Sequence, residues 1–348
     1  MTEPPPCPRP ELPLGLRWQE WQPALEAVSI ASRAAVRFAE RLRDDPAGRA
    51  DKPDASPVTA ADLALQAILN ILLAERYGAR SAVGEESTAV FSGDSRLREV
   101  VHELVRTERP GLAAAAIDAA IDAADGDGTE PRHWVMDPID GTRGYLRGQQ
   151  YCICLAFIDE GVPVFGAAGC PRLGAAGRVV AAVRQGGTWE WEGLAMAERP
   201  VAVRVREAGG DGEPLRACVS PDLGPRSRAR LESLADGLVA AVPALKTAGM
   251  ESQVKFVLVA RGEADLAVRF PVGDPTRDRD MIWDYAGAVT MVEEAGGRMT
   301  DCRGGPLRFG RGRAIDRNAG VLCAAEWAWR PAVERLAAVD PVLAGWRG

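Results

Sequence analysis

Trp134-Val135-Met136-Asp137-Pro138-Ile139-Asp140-Gly141-Thr142 joins an apolar, β-forming lead to a proline turn that carries two carboxylates three positions apart. A strand ending in this way can aim both acids at one point. Hard divalent cations prefer oxygen ligands, and Mg²⁺ binds through a few carboxylates, keeps several waters and leaves room for substrate phosphate. The same pattern also suits a plain turn, with Asp137 and Asp140 hydrogen-bonding the backbone around Pro138 and Gly141. Both readings stand for the motif alone, so carboxylates elsewhere must decide.

Working toward the N-terminus, His133 to Met136 is the strand lead and Leu97 to Val105 and Leu112 to Ala124 read as helices. Ser81 to Ser87 suits a strand end that points Glu85 outward, although Glu85-Glu86 also fits an exposed acidic turn. Leu63 to Tyr77 forms the body of a helix for which Thr59 or Asp62 is the cap. Asp54 lies in the loop before it and can itself cap. Leu25, Val28, Ala31, Ala35, Phe38 and Leu42 recur at helical spacing and predict a helix from Trp21 to Leu42. Residues 1–15 are proline-rich and read as a loose arm.

Toward the C-terminus, Tyr151 to Asp159 and Pro163 to Ala168 read as neighbouring strands with Gly161 in the turn. Short strands with glycine turns fill residues 174–204, and helical periodicity returns at 227–242 and 251–260. Ala264 to Phe270 reads as a strand. Asp280 to Ala295 reads as a strong amphipathic helix closed by Gly296-Gly297. Asp284 near its start is either a partner of the helix dipole or a ligand of a metal lying off the helix end.

Composition narrows the function classes. With 348 residues, 47% hydrophobic and 26% charged, the chain can bury a large core. A net charge of −7 disfavours a nucleic-acid polymer as partner. An acidic protein that binds phosphate needs local positive charge, from placed Lys and Arg or from metal ions. Seven cysteines, scattered and without a CxxC pair, do not indicate a disulfide framework or a zinc site. The only histidines, His102 and His133, argue further for an oxygen-ligated metal. The N-terminal residues show no signal-peptide pattern and no apolar run reaches the roughly 18 residues of a membrane span, so the reading is a reduced, cytoplasmic protein.

The string DPIDGTRGYLRGQQY at 137–151 resembles the signature of the inositol monophosphatase superfamily, and RGYLRGQQY resembles its 3′(2′),5′-bisphosphate nucleotidase branch. Three segments match in order: DASPVTAADLALQ at 54–66, VGEES at 83–87 and IWDYAGAVTMVEEAGGRMTD at 282–301. The resemblance implies an α/β (α+β) fold, a layered αβαβα sandwich of the inositol monophosphatase and fructose-1,6-bisphosphatase type. Residues 16–170 would be an α+β half carrying metal ligands, and residues 171–348 an α/β half carrying substrate contacts.

The resemblance also implies a site of two to three Mg²⁺ ions. Glu85, Asp137 and the Ile139 carbonyl would hold one, Asp137, Asp140 and Asp284 a second, and Glu85 with Asp54 through water a third. Such ions about 4 Å apart polarise phosphate oxygens and acidify water. Asp54 and Thr142 would orient and deprotonate the attacking water. Gly141 and Thr142 would face the substrate. Ser252, Lys255 and Arg269 would contact a second, uncleaved phosphate, although Lys255 and Arg269 taken alone read as solvated charges. Two departures stand out: residues 218–225 lack the histidine common in related nucleotidases, and Tyr285 stands where a histidine is frequent.

The implied reaction is hydrolysis of adenosine 3′,5′-bisphosphate to AMP and phosphate, a step of sulfur metabolism. The same compound with a sulfate, 3′-phosphoadenosine 5′-phosphosulfate, is a second substrate, and lithium an inhibitor. Inositol or another sugar phosphate is the alternative substrate. A non-catalytic nucleotide-binding sensor is the alternative of another class.

Overall fold

The computed structural model describes residues 18–43, 48–51, 57–92, 94–208, 215–219, 225–235, 250, 252–270, 280–315, 318–339 and 342–343. The arm expected at 1–15 and the candidate base Asp54 lie outside them.

The apolar spacing that begins at Trp18 forms α1, Trp18–Leu42, which buries Trp21, Leu25, Val28, Ala31, Ala35 and Phe38. A short antiparallel pair follows, β1 (Arg49–Asp51) and β2 (Pro57–Thr59). It leads into α2, Ala60–Tyr77. Thr59 caps that helix in a reciprocal box: its hydroxyl accepts the Asp62 N–H, and Asp62 accepts the Thr59 N–H at 2.9 Å. β3 (Ala82–Gly84), a 3₁₀ turn at Thr88–Phe91, α3 (Ser95–Glu108) and α4 (Ala114–Asp122) come next.

The central sheet is then laid down as β4 (Arg132–Asp140), β5 (Cys152–Asp159), β6 (Val162–Cys170), β7 (Arg178–Val183), β8 (Thr188–Glu192) and β9 (Val201–Val203), with the short α5 (Thr142–Leu146) after β4. Its seven strands lie in the order β3-β4-β5-β6-β7-β8-β9, with β3 parallel to β4 and every later pair antiparallel. Gly161 makes the β5–β6 turn at φ +76°. β6 and β7, on either side of residue 170, are hydrogen-bonded neighbours.

A second sheet has four strands in the order β10-β11-β13-β12: β10 (Ala217–Cys218), β11 (Leu266–Arg269), β12 (Gly297–Thr300) and β13 (Val321–Ala325). The remaining helices are α6 (Pro225–Ala235), α7 (Val254–Ala260), α8 (Ala286–Glu294) and α9 (Glu326–Val339).

Strand alternation decides how these parts stack. On β5, Ile153, Leu155 and Phe157 enter the core beneath α1 and α2, where Trp21 stacks on Phe165 with ring centroids 4.9 Å apart. Cys152, Cys154, Ala156 and Ile158 face the opposite core, which holds α7 and α8. A third core joins the four-stranded sheet to α6 and α9. The layers therefore run α, β, α, β, α. Among the described residues, no helix is long and apolar enough to cross a membrane.

One expected helix is shorter than its pattern and not amphipathic. Ile282–Asp284 is a 3₁₀ turn, α8 starts at Ala286, and its residues from Ala286 to Val292 are all buried. The helix lies between two sheets, and only Glu293 and Glu294 in its last turn reach partly into solvent. Its approach to β6 is close: a Cβ added at Gly166 would fall 2.8 Å from the Gly287 Cα.

Candidate active site

The end of β4 supplies the first two acids. Pro138 has no N–H for the ladder, and the pairing with β5 shifts between Asp137, opposite Cys154, and Asp140, opposite Cys152. Gly141 then takes φ +92°, and a Cβ there would meet the Ser252 Cβ at 3.0 Å, so the close approach favours glycine. Asp140 Oδ2 accepts the backbone N–H of Gln253 and lies 3.6 Å from Cys152 Sγ.

Glu85 follows β3, whose Gly84 pairs with Met136. From α2, Gln66 accepts the Glu86 N–H at 2.9 Å and donates to the Glu86 carbonyl at 2.6 Å. Arg313 donates to the carbonyls of Gly84 and Gly126, the latter at 2.8 Å, and its guanidinium sits 4.9 Å from the Trp283 ring centre. The Arg313 carbonyl in turn accepts the Ile282 N–H at 2.9 Å. One residue thus ties the Glu85 strand end to the turn that carries Asp284. Gln253 adds a second tie, donating to the Trp283 carbonyl at 3.0 Å. Asp284 itself accepts the Met281 N–H at 3.0 Å.

The electrostatics follow from that convergence. Burial, then the charges of Glu85, Asp140 and Asp284, push the Asp137 carboxyl well above the ordinary carboxylate range. Burial and Glu85 push Asp284 up to about 7. Burial and the neighbouring Cys152 raise Asp140, against which Lys255 pulls. Asp137 Oδ1 is buried without a hydrogen-bond partner. Crowded acids with an orphaned oxygen and an all-oxygen donor set fit hard divalent cations, which would relieve both repulsion and the missing partner.

Thr142, at the start of α5, has its Oγ 3.2 Å from Asp62 Oδ1 and 3.2 Å from the Ile139 carbonyl. Among the described residues, the carboxylate facing Thr142 is Asp62, the N-terminal cap partner of α2; Asp54, expected to act with Thr142, lies outside them. On the substrate side, Ser252 is fully buried and its Oγ accepts the Val254 N–H at 3.3 Å. Its hydroxyl serves the turn beneath Gly141 and has no open face for a phosphate. Lys255 is half-buried and close enough to Asp140 and Asp284 to favour their charged forms. Arg269 forms an ion pair with Asp280 at 2.8 Å. Tyr285 is buried, with its ring 5.8 Å from that of Phe256.

The profile of the inositol monophosphatase family matches residues 20–339. The chain belongs to the inositol monophosphatase family. Members of this family are metal-dependent. Among relatives, it is 34% identical over 342 residues to the 3′(2′),5′-bisphosphate nucleotidase of Schizosaccharomyces pombe, covering 92% of this chain and 95% of that one. A protein of the same name from Oryza sativa is 31% identical over 336 residues, covering 86% and 89%. Among solved structures, CysQ from Bacteroides thetaiotaomicron superposes with a TM-score of 0.60 at 20% identity, covering 88% of this chain and 97% of that one. The SuhB protein of Bartonella henselae gives 0.62 at 20% identity, covering 90% and 97%. The layered sandwich is thus the fold of the inositol monophosphatase family.

Four residues of this inositol monophosphatase family member escaped the sequence reading as parts of the site: Asp62, Gln66, Gln253 and Arg313. Thr59-x-x-Asp62 carries its own local explanation as a capping box, which hid the second duty of Asp62. Gln66 had a signal, a polar residue within the apolar run Leu63–Leu69 of α2. Arg313 had none, since its partners lie up to 229 positions away.

Proposed function

We propose that this chain is a Mg²⁺-dependent phosphatase that removes the 3′-phosphate of adenosine 3′,5′-bisphosphate, giving AMP and phosphate. The convergence of Glu85, Asp140 and Asp284 on the buried Asp137 carries the phosphatase reading. The nucleotide substrate rests on relatives at 30–34% identity that bear the name 3′(2′),5′-bisphosphate nucleotidase. 3′-Phosphoadenosine 5′-phosphosulfate is the second substrate proposed.

In this reading Glu85, Asp137, Asp140, Asp284 and the Ile139 carbonyl hold the ions. Bound Mg²⁺ supplies Lewis acidity that neutralises phosphate charge and lowers the pKa of water. The chain's own groups manage the proton. Thr142 Oγ, 3.2 Å from Asp62 Oδ1, gives its proton to that carboxylate and leaves a lone pair to accept a proton from water. The water oxygen bonds to phosphorus as the bond to the ribose 3′ oxygen breaks; that oxygen takes a proton from solvent water as it leaves, and Asp62 returns the proton it gained to solvent. Lys255 offers an ammonium to the second phosphate. Arg269 joins it only by sharing its guanidinium between phosphate and Asp280.

A phosphate-release panel with Mg²⁺ tests the reading, comparing adenosine 3′,5′-bisphosphate, its phosphosulfate analogue and inositol 1-phosphate. Strong preference for the bisphosphorylated nucleotide is expected. Equal rates on inositol phosphate would remove the nucleotide assignment, and ligand-induced stabilisation without phosphate release would point to a sensor.

A further inference from the structure

Cys152 and Cys154 stand on the same face of β5, because strand residues two apart point the same way. Their sulfurs are 3.4 Å apart, and Cys152 Sγ is 3.6 Å from Asp140 Oδ2. The three ligand atoms all lie within 4.8 Å of one another. Around a tetrahedral zinc-class ion, bonds of about 2.3 Å to sulfur and about 2.1 Å to oxygen put two sulfurs about 3.8 Å apart and sulfur about 3.6 Å from oxygen. Two edges of that tetrahedron are therefore nearly formed. Ile153 pairs with Gly169, which sets Cys170 of β6 across from Cys152, in contact with its thiol. Cys152, Cys154 and Cys170 are buried, so bulk water does not compete for them, whereas Asp140 is half-buried beside the oxygen cluster.

We propose that Cys152, Cys154 and Asp140 form a binding site for one thiophilic divalent cation of the zinc class. Cys152 and Cys154 each release a proton to solvent as the ion enters, so two thiolates and a carboxylate meet a double positive charge. Thiolate donors select zinc and cadmium over Mg²⁺, which keeps oxygen ligands. A Cys-x-Cys pair on a strand does here what a CxxC turn does elsewhere. An ion in this place draws Asp140 toward the sulfurs and withdraws it from the oxygen cluster, which inhibits turnover. That last consequence rests on the phosphatase reading; the site itself does not.

Cadmium titration of the full-length, metal-free protein is the test, read by the ultraviolet thiolate-to-cadmium charge-transfer band and by equilibrium dialysis. One equivalent of Cd²⁺ is expected to develop the band. Cys152→Ala should lose it and bind at least 100-fold more weakly, whereas Cys302→Ala, a buried cysteine whose thiol lies against the Arg269 carbonyl, should keep it. Cys154→Ser provides the same comparison if Cys152→Ala fails to fold by near-ultraviolet circular dichroism. No band at one equivalent, or a band undiminished in Cys152→Ala and Cys154→Ser, overturns the proposal. Zinc inhibition of phosphate release that Cys152→Ala relieves supports it and extends it to control of turnover. A cadmium band without such inhibition supports the site and counts against Asp140 as a Mg²⁺ ligand.

Discussion

Asp62 serves two neighbours at once, closing the first turn of α2 with one carboxylate oxygen and facing Thr142 with the other. Its two duties separate by mutation. Asp62→Asn is expected to lower kcat about 100-fold or more while leaving the Mg²⁺ requirement nearly unchanged, and to destabilise the fold by about 1 kcal/mol through the weakened cap. Thr142→Val should share the kinetic loss without the cap loss, as steady-state kinetics beside urea melts will show; normal kcat in Thr142→Val would remove it from proton handling. Asp137→Asn, which alters the acid at the centre of the cluster, should nearly abolish phosphate release, and near-normal release would count against a shared ligand. Glu85, Asp137, Asp140 and Asp284 were legible in the sequence because each sits in a segment with its own pattern. The Thr142–Asp62 contact was not, because it joins residues 80 positions apart. Nor was the Arg269–Asp280 pair, which depends on how β11 meets the lead into the 3₁₀ turn.

The α8 helix shows where periodicity misleads. Its small and apolar residues gave a helix correctly, yet their placement on one face was an expectation suited to a surface helix, and this one is enclosed by two sheets. The tight contact between Gly166 of β6 and Gly287 of α8 makes a test. Gly166→Ala should cost about 1–3 kcal/mol in urea unfolding, because neither backbone can give way cheaply; an unchanged midpoint would mean that helix and sheet are looser than described. Arg313 joins elements in another manner, by bonds to backbone carbonyls under β3 and a stack on Trp283. Arg313→Ala takes the donor from two part-buried carbonyls, at no more than about 1–3 kcal/mol each. It should also raise the Mg²⁺ concentration for half-maximal activity about 10-fold, since a loosened site holds ions less well. An unchanged Mg²⁺ curve would confine Arg313 to stability.

Taken together, the buried acids make the stability of the whole metal-free protein depend on pH in an unusual direction. Asp284, raised to about 7, and Asp137 and Asp140, also raised, hold protons in the folded chain that the unfolded chain has already lost. Between the ordinary carboxylate range and about 7, the folded state therefore binds more protons, and stability is highest on the acid side and falls as pH rises through this window. Asp118 and Asp265, whose pairings lower them, are ionised in both states there and do not offset the fall; His133, held below its usual range by burial, opposes it in part as one group against three acids. Thermal melts in a chelator from about pH 5 to about pH 8 should show a declining Tm, and Mg²⁺ should restore it most at the alkaline end. A flat profile would mean that the acids do not crowd one another. The stacking order that produces this crowding could be expected from resemblance, whereas periodicity alone gave the elements without their layers. Because Arg313 grips the backbone at Gly84 across 229 positions, a chain still being made on the ribosome has its first three carboxylates long before the clamp that aligns Glu85. All four acids therefore precede the residue that aligns them, and a protein cut short before that arginine would carry the acids but not their common focus.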